Sequence, residues 1–185
     1  MNRYIDIEIL TDPEFTSPQI LSVLVRKLHQ SLVDLNCNQI GVSYPEHKST
    51  TLGGLMRLHA NEHSLQRLME TGWLTGLLDH VKVSECLEIP KDSKFCMVSR
   101  VQVKSSPERL RRRAQKRHGI SEEEARERIS DRAAKTTNLP YVRLASISTK
   151  QKFPLFIQHG PVTEKNKLGE FNNYGLSSQA TVPWF

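Results

Sequence analysis

The densest concentration of chemistry in the chain runs from Ser99 to His118, SRVQVKSSPERLRRRAQKRH, where eight lysines and arginines stand against one acid, Glu108. This stretch carries a net charge of +7, while the whole 185-residue chain carries +6. The rest of the protein is therefore close to neutral, and its basic character belongs to a single element. A cationic element of that density calls for a polyanion, most often a nucleic acid.

Two devices are legible inside the stretch. Arg100, Gln102 and Lys104 alternate with Val101 and Val103. A strand over 94–104 with the valines inward would project the three polar side chains from its other face. Arginine matches the edge of guanine and glutamine that of adenine. Ser106-Pro107-Glu108 then supplies the capping hydroxyl, first-turn proline and acid of a helix start. Beyond it Arg109, Arg112, Arg113 and Lys116 recur at i, i+3, i+4 and i+7 on one face of a helix that Gly119 ends. Like charges so spaced repel one another unless phosphates sit against them. Composition alone leaves RNA and DNA equally open.

Other residues capable of chemistry are scattered. His29 borders the apolar stripe of a helix over 18–35, which is made by Leu21, Leu24, Val25, Leu28, Leu32 and Leu35. A border histidine is ordinarily a surface or half-buried residue, yet this one can reach into a cleft beside its helix. Val142, Leu144, Ser146 and Ser148 fall on one side of a strand, an uncommon use of serine because a buried hydroxyl needs a partner. Phe153 reads as core or as a stacking platform, with core the default. Tyr174, beside Gly175, says nothing by itself. His59 and His63 stand four apart, but HANEH reads as a strand end and then a helix cap at Asn61, so the two share no face for a metal. Cys37, Cys86 and Cys96 are odd in number and widely spaced, as expected of reduced thiols in a cytoplasmic protein. No apolar run approaches the roughly 20 residues of a membrane span, and MNRYIDIEIL starts as a strand, with no expected signal peptide.

The elements that must position these groups follow from periodicity. Ile5, Ile7 and Ile9 alternate along a first strand, and the helix after Ser17-Pro18 comes next. A short strand over 40–44, a polar loop over 46–54 and a strand over 55–59 precede a helix that Asn61 opens and Gly72 stops. Val81 and Val83 lie in a last strand before Pro90. The order β-α-β-β-α-β is the ferredoxin-like plan, although the stacking aromatics of an RNA-recognition module are missing from its strands. The expected fold is α+β, with a ferredoxin-like domain over 1–92 carrying His29. A C-terminal α+β domain over 93–185 bears the arginine-rich helix at about 107–118. It continues with a helix that Ser121 caps, a short helix over 131–137, and strands from 141 and over 152–158.

Several strings, in order along essentially the whole chain, resemble one family. They are DPEF with LSVLVRKLHQ, IGVSYP, SRVQVKSSPERLRRR, SEEEARERI, LP before the serine strand, LFIQHGP, and YGLS with VPWF. The chain is similar to the CRISPR-associated repeat-processing endoribonucleases of subtype I-F. The resemblance implies a metal-independent enzyme of the prokaryotic cytoplasm, working without a cofactor. It would cut CRISPR precursor RNA at the stem-loop of each repeat and stay bound to the product. Its implied partners are that RNA hairpin and other protein subunits of the type I-F interference complex.

The same resemblance makes His29 the catalytic histidine and Ser146 the active-site serine, with Tyr174 arranging the site and Ser148 beside it. Arg100 and Gln102 become base readers near the foot of the stem, and Phe153 stacks at the scissile end. Arg112, Arg113, Lys116, Arg117 and His118 fall on the helix that tracks stem phosphates; Lys104 and Arg109 join the RNA-binding set by their spacing. The expected reaction is attack by the RNA 2′-OH, giving a 5′-hydroxyl and a 2′,3′-cyclic phosphate. Two other readings stay open: an inactive hairpin-binding subunit, and a basic DNA-binding protein.

Overall fold

The structure, a computed structural model, describes residues 1–102, 107–129, 137–145 and 151–185. It divides into two compact units: Met1–Val101 together with Leu139–Phe185, and Gln102–Asn138.

The first unit opens with β1 (Arg3–Ile9), α1 (Ser17–Asp34), β2 (Gly41–Ser43), β3 (Leu55–Ala60), α2 (Glu62–Glu70) and β4 (Val81–Val83). Its sheet has the order β2-β3-β1-β4 with every pair antiparallel. β1 and β2 are therefore parallel with β3 inserted between them, as the ferredoxin-like plan requires. A two-residue β5 (Leu87–Glu88) extends the pairing at the start of β1. Ile5 and Ile7 of β1 and Leu21, Leu24, Leu28 and Leu32 of α1 are all buried. Period two on the strand and period 3.6 on the helix thus put one apolar face of each into a common core.

One local detail differs from the sequence reading and another was not visible in it. Helix α1 begins one residue early, with Thr16 as its cap: the Gln19 side-chain oxygen accepts the Thr16 N–H at 2.8 Å and the Thr16 hydroxyl at 2.7 Å. Arg57, on β3, is buried. Its Nε and Nη2 fork onto the Asp6 carboxylate at 2.6 and 2.8 Å, and Nη1 donates to the Phe185 carbonyl at 3.0 Å. A guanidinium taken from water needs its donors filled. Here the filling ties the last residues of the chain to the sheet.

The expected strand over 94–104 is two strands. β6 (Lys94–Cys96) pairs with β10 (Val182–Trp184), whereas β7 (Val98–Val101) joins a three-stranded antiparallel sheet of order β7-β9-β8, where β8 is Tyr141–Ala145 and β9 is Lys152–His159. The interruption at Met97 lets neighbouring segments serve different sheets. Cys96 and Val98 are both buried, so the alternation runs on through Met97 and sets the even-numbered side chains inward. Val98 lies opposite His159 and Arg100 opposite Ile157, so Arg100 shares a face with the buried Val98, Leu155 and Ile157. The expected inward-facing Val101 is only half-buried, and Val103 and Lys104 fall outside the described residues.

In the second unit α3 (Pro107–His118) packs on α4 (Glu122–Arg128), whose Ala125 is fully buried. Ser121 and Glu124 form the expected capping box. Gly119, at φ 63°, stops α3 in the left-handed conformation that only glycine adopts without strain. The short helix expected over 131–137 falls, apart from residue 137, outside the described residues. Among the described residues, no helix is long and apolar enough to cross a membrane.

Candidate active site

His29 lies in the second half of α1, half-buried at the border of the apolar stripe. Its ring lies on that of Tyr174, with centroids 4.1 Å apart and planes 8° from parallel. The imidazole Nδ1 is 2.9 Å from the carbonyl oxygen of Asn173. A carbonyl only accepts, so this contact requires a proton on Nδ1. In the neutral ring the lone pair is then on Nε2, the nitrogen left to take a proton from elsewhere.

The partner loop is built to hold its shape. Asn172 Oδ1 accepts the Tyr174 N–H at 2.8 Å and the Leu176 N–H at 3.3 Å, and the Asn172 carbonyl accepts the Gly175 N–H at 2.8 Å. Gly175 has φ 70°, and a Cβ there would lie 2.3 Å from Val42 Cγ2. Only glycine lets the turn approach β2 so closely, and the approach is used: the Val42 N–H donates to the Gly175 carbonyl at 2.8 Å. Phe171 N–H bonds Asn38 O and Ser177 N–H bonds Val98 O, both at 2.9 Å, anchoring the loop on either side.

Arg100 joins this cluster from β7. Its guanidinium carbon is 6.0 Å from the Tyr174 ring centroid and 5.9 Å from that of Phe153. Those distances are at the outer limit of cation–π attraction. Burial raises the Tyr174 phenol above its ordinary value of 10.0, and the Arg100 charge partly opposes the rise. The phenol is therefore neutral at any working pH. Four of the sequence-derived candidates, His29, Tyr174, Arg100 and Phe153, thus form one line of contacts within the first unit.

The other candidates divide. Arg112, Arg113, Lys116, Arg117 and His118 are exposed on α3, and Gln102 is exposed just before the helix. Lys104, Ser146, Ser148 and the Arg109 side chain lie outside what the structure describes. Arg111 differs from its neighbours: Nε and Nη2 donate to the Ile129 carbonyl at 3.0 and 2.8 Å, closing the C-terminal end of α4. Residue type alone cannot separate this structural arginine from those on the exposed face.

The histidine pair considered for metal does not converge. His59 is fully buried in β3, with Nε2 2.8 Å from the Ser43 hydroxyl, and His63 is exposed on α2. Among the described residues no cluster of histidine, cysteine or carboxylate side chains could hold a metal ion. Cys37, Cys86 and Cys96 are free thiols.

A second aromatic cluster escaped the sequence reading. His47 stacks on His159 at 3.7 Å, and the edge of Trp184 meets both. His159 Nε2 accepts the Tyr44 N–H at 3.3 Å, so the contact fastens β9 to the segment after β2. The motif LFIQHGP carries His159, but nothing local marks its partners.

Comparison with known proteins identifies the family. A family model described as CRISPR-associated protein (Cas_Csy4) matches residues 4–185. The chain is 48% identical over 187 residues to a CRISPR-associated endonuclease Cas6/Csy4 of Pseudomonas aeruginosa (strain UCBPP-PA14), covering all of both chains. It is 41% identical over 185 residues to a protein of the same name from Escherichia coli (strain UTI89 / UPEC), again end to end. The chain belongs to this family, the CRISPR-associated repeat-processing endoribonucleases of subtype I-F.

Proposed function

We propose that the protein cleaves CRISPR precursor RNA at the repeat stem-loop without a metal ion, with His29 as general base and the RNA's own 2′-OH as nucleophile. The observation that carries this reading is the His29 Nδ1 contact to the Asn173 carbonyl, which leaves Nε2 as the basic nitrogen. In the proposed step the 2′-OH proton passes to Nε2 as the 2′-oxygen forms a bond to phosphorus. The P–O5′ bond breaks, the leaving 5′-oxygen takes a proton from water and the protonated His29 gives its proton back to solvent, so the products are a 2′,3′-cyclic phosphate and a 5′-hydroxyl. Because RNA brings the nucleophile, the enzyme's task is to take a proton and hold the hydroxyl in line with the leaving oxygen. Ser146 is assigned the second task by the family resemblance, with Ser148 beside it.

Recognition is assigned to two further groups. Arg100 and Gln102 read bases at the foot of the stem, and Phe153 stacks against the RNA there. The exposed cations of α3, Arg112, Arg113, Lys116 and Arg117, with His118 and the sequence-derived Lys104 and Arg109, hold the stem phosphates. The base edges in an A-form major groove are normally out of reach of protein side chains, so a hairpin, whose groove opens at the stem end, is the favoured ligand over a linear duplex. The product stays bound, in the cytoplasm, as part of a type I-F interference complex with other protein subunits.

The test uses the protein's own host repeat RNA. His29→Ala is expected to bind the hairpin as wild type does and fail to cut it, and a chelator is expected to leave wild-type cleavage unchanged. Continued cutting of RNA that carries hydrogen in place of the scissile 2′-OH would refute the mechanism. Equal competition by duplex DNA would refute the assignment of the basic helix to RNA.

A further inference from the structure

We infer that Asn172 is a positioning residue, acting through the backbone to set the tautomer of His29. The inference rests on the proposal that His29 is the general base, and it adds to that proposal a residue on which the base's readiness depends.

The argument turns on one peptide unit. The carbonyl that receives the His29 Nδ1 proton belongs to Asn173, and the N–H that Asn172 Oδ1 receives belongs to Tyr174. These two groups are the opposite ends of the same peptide plane. A trans peptide is rigid, and its C=O and N–H point in opposite directions. Fixing the N–H on Asn172 therefore fixes the C=O on His29. The same side-chain oxygen also receives the Leu176 N–H, so it holds the turn at two points.

Without that oxygen the plane is free to rotate. A rotated plane would turn its N–H toward the imidazole, and an N–H requires a lone pair on Nδ1. The proton would then reside on Nε2, and the ring in its neutral form would have no base at the nitrogen assigned to the substrate. The Tyr174 ring moves with the same unit, so the stack loosens together with the hydrogen bond. Asn172 is itself exposed and contributes nothing to the apolar core, which separates its effect on the histidine from an effect on folding.

The experiment compares wild type, Asn172→Ala and Asn172→Asp. The aspartate keeps the acceptor oxygen and the alanine removes it. Three quantities are read: the single-turnover cleavage rate at saturating enzyme, the affinity for a hairpin lacking the scissile 2′-OH, and the His29 ring nitrogens by long-range proton–nitrogen NMR on the free protein. Asn172→Ala is expected to cut on the order of 10- to 100-fold more slowly, with hairpin affinity unchanged and His29 shifted away from the Nδ1–H form. Asn172→Asp is expected to restore both the rate and the tautomer. Wild-type cleavage by Asn172→Ala, an unaltered His29 tautomer in it, or an aspartate variant as slow as the alanine would each overturn the inference. If His29 instead proved not to be the base, His29→Ala would still cleave, and the NMR comparison would still decide whether Asn172 sets the tautomer.

Discussion

The imidazole of His29 lies flat on the phenol ring of Tyr174, 4.1 Å between centroids and 8° from parallel. The stack limits the histidine's rotation and is made by the ring faces, not by the phenolic oxygen. Tyr174→Phe is therefore expected to cleave repeat RNA at close to the wild-type rate. Tyr174→Ala is expected to lose on the order of 10- to 100-fold, the scale on which a misplaced catalytic group costs rate. Single-turnover kinetics of the two variants check the claim; a phenylalanine variant as slow as the alanine would mean that the hydroxyl itself takes part.

Gly175 offers a test of the loop's rigidity. Its backbone is in the left-handed region, and a methyl group would lie 2.3 Å from Val42 Cγ2. Strain and overpacking together make Gly175→Ala destabilising by about 2–4 kcal/mol. Thermal unfolding should show a lowered midpoint, and cleavage should fall further than the loss of folded protein accounts for, because the turn that meets His29 cannot keep its place on β2.

Stability in acid should be set in part by two histidines, His59 buried and His159 half-buried. Burial brings His59 down to about 3, and burial together with the neighbouring His47 brings His159 down to about 3. In the unfolded chain both take a proton near their ordinary 6.5. Between those values the unfolded state binds more protons than the folded state. The stabilisation is thus fully present above pH 6.5 and is lost progressively as pH falls toward 3, by about 1.4 kcal/mol per pH unit for each histidine. Urea midpoints measured between about pH 7 and pH 5 give the slope. His59→Gln should flatten it, and an unchanged slope would contradict the account.

The α3 cations should behave as phosphate contacts. Arg112→Ala or Arg113→Ala is expected to weaken binding of any hairpin with the same stem length, and to reduce the slope of log affinity against log salt by about 1. Arg100→Ala should instead relax the preference for the base pair at the foot of the stem. Arg111→Ala belongs to neither class: it removes the cap on the Ile129 carbonyl, and its effect should appear first as a loss of helical stability.

Much of the architecture could be read from periodicity, because the ferredoxin-like strands and helices each record their burial in local spacing. Ile5 and Ile7 alternate and Leu21 to Leu32 repeat with the helical turn, and the core is built from those positions. The border position of His29 was legible for the same reason. The change of sheet at Met97 was not, since Cys96 and Val98 are buried on either side of it and the alternation shows no break. The asparagines of FNNYGLS were invisible too. Asn173 meets His29 across 144 positions, and no local pattern records a contact at that separation. The arginine cluster stood out by charge, yet charge could not show that Arg111 is spent inside the fold. That Arg100 approaches Phe153 follows from the β7–β9 register, and that it approaches Tyr174 follows from the loop bonded to β7 at Val98, neither of which local sequence records.

The separation of His29 from Asn173 also sets an order in time. During synthesis α1 leaves the ribosome long before the 172–175 turn exists, and β2 waits with its Val42 N–H unfilled until Gly175 arrives. A half-made chain can carry the histidine and even its cationic helix, so it can meet RNA before it is able to select a tautomer. By the proposed mechanism such a nascent protein cuts more slowly than the finished one. The base is thus fully oriented only when the closing turn docks on β2.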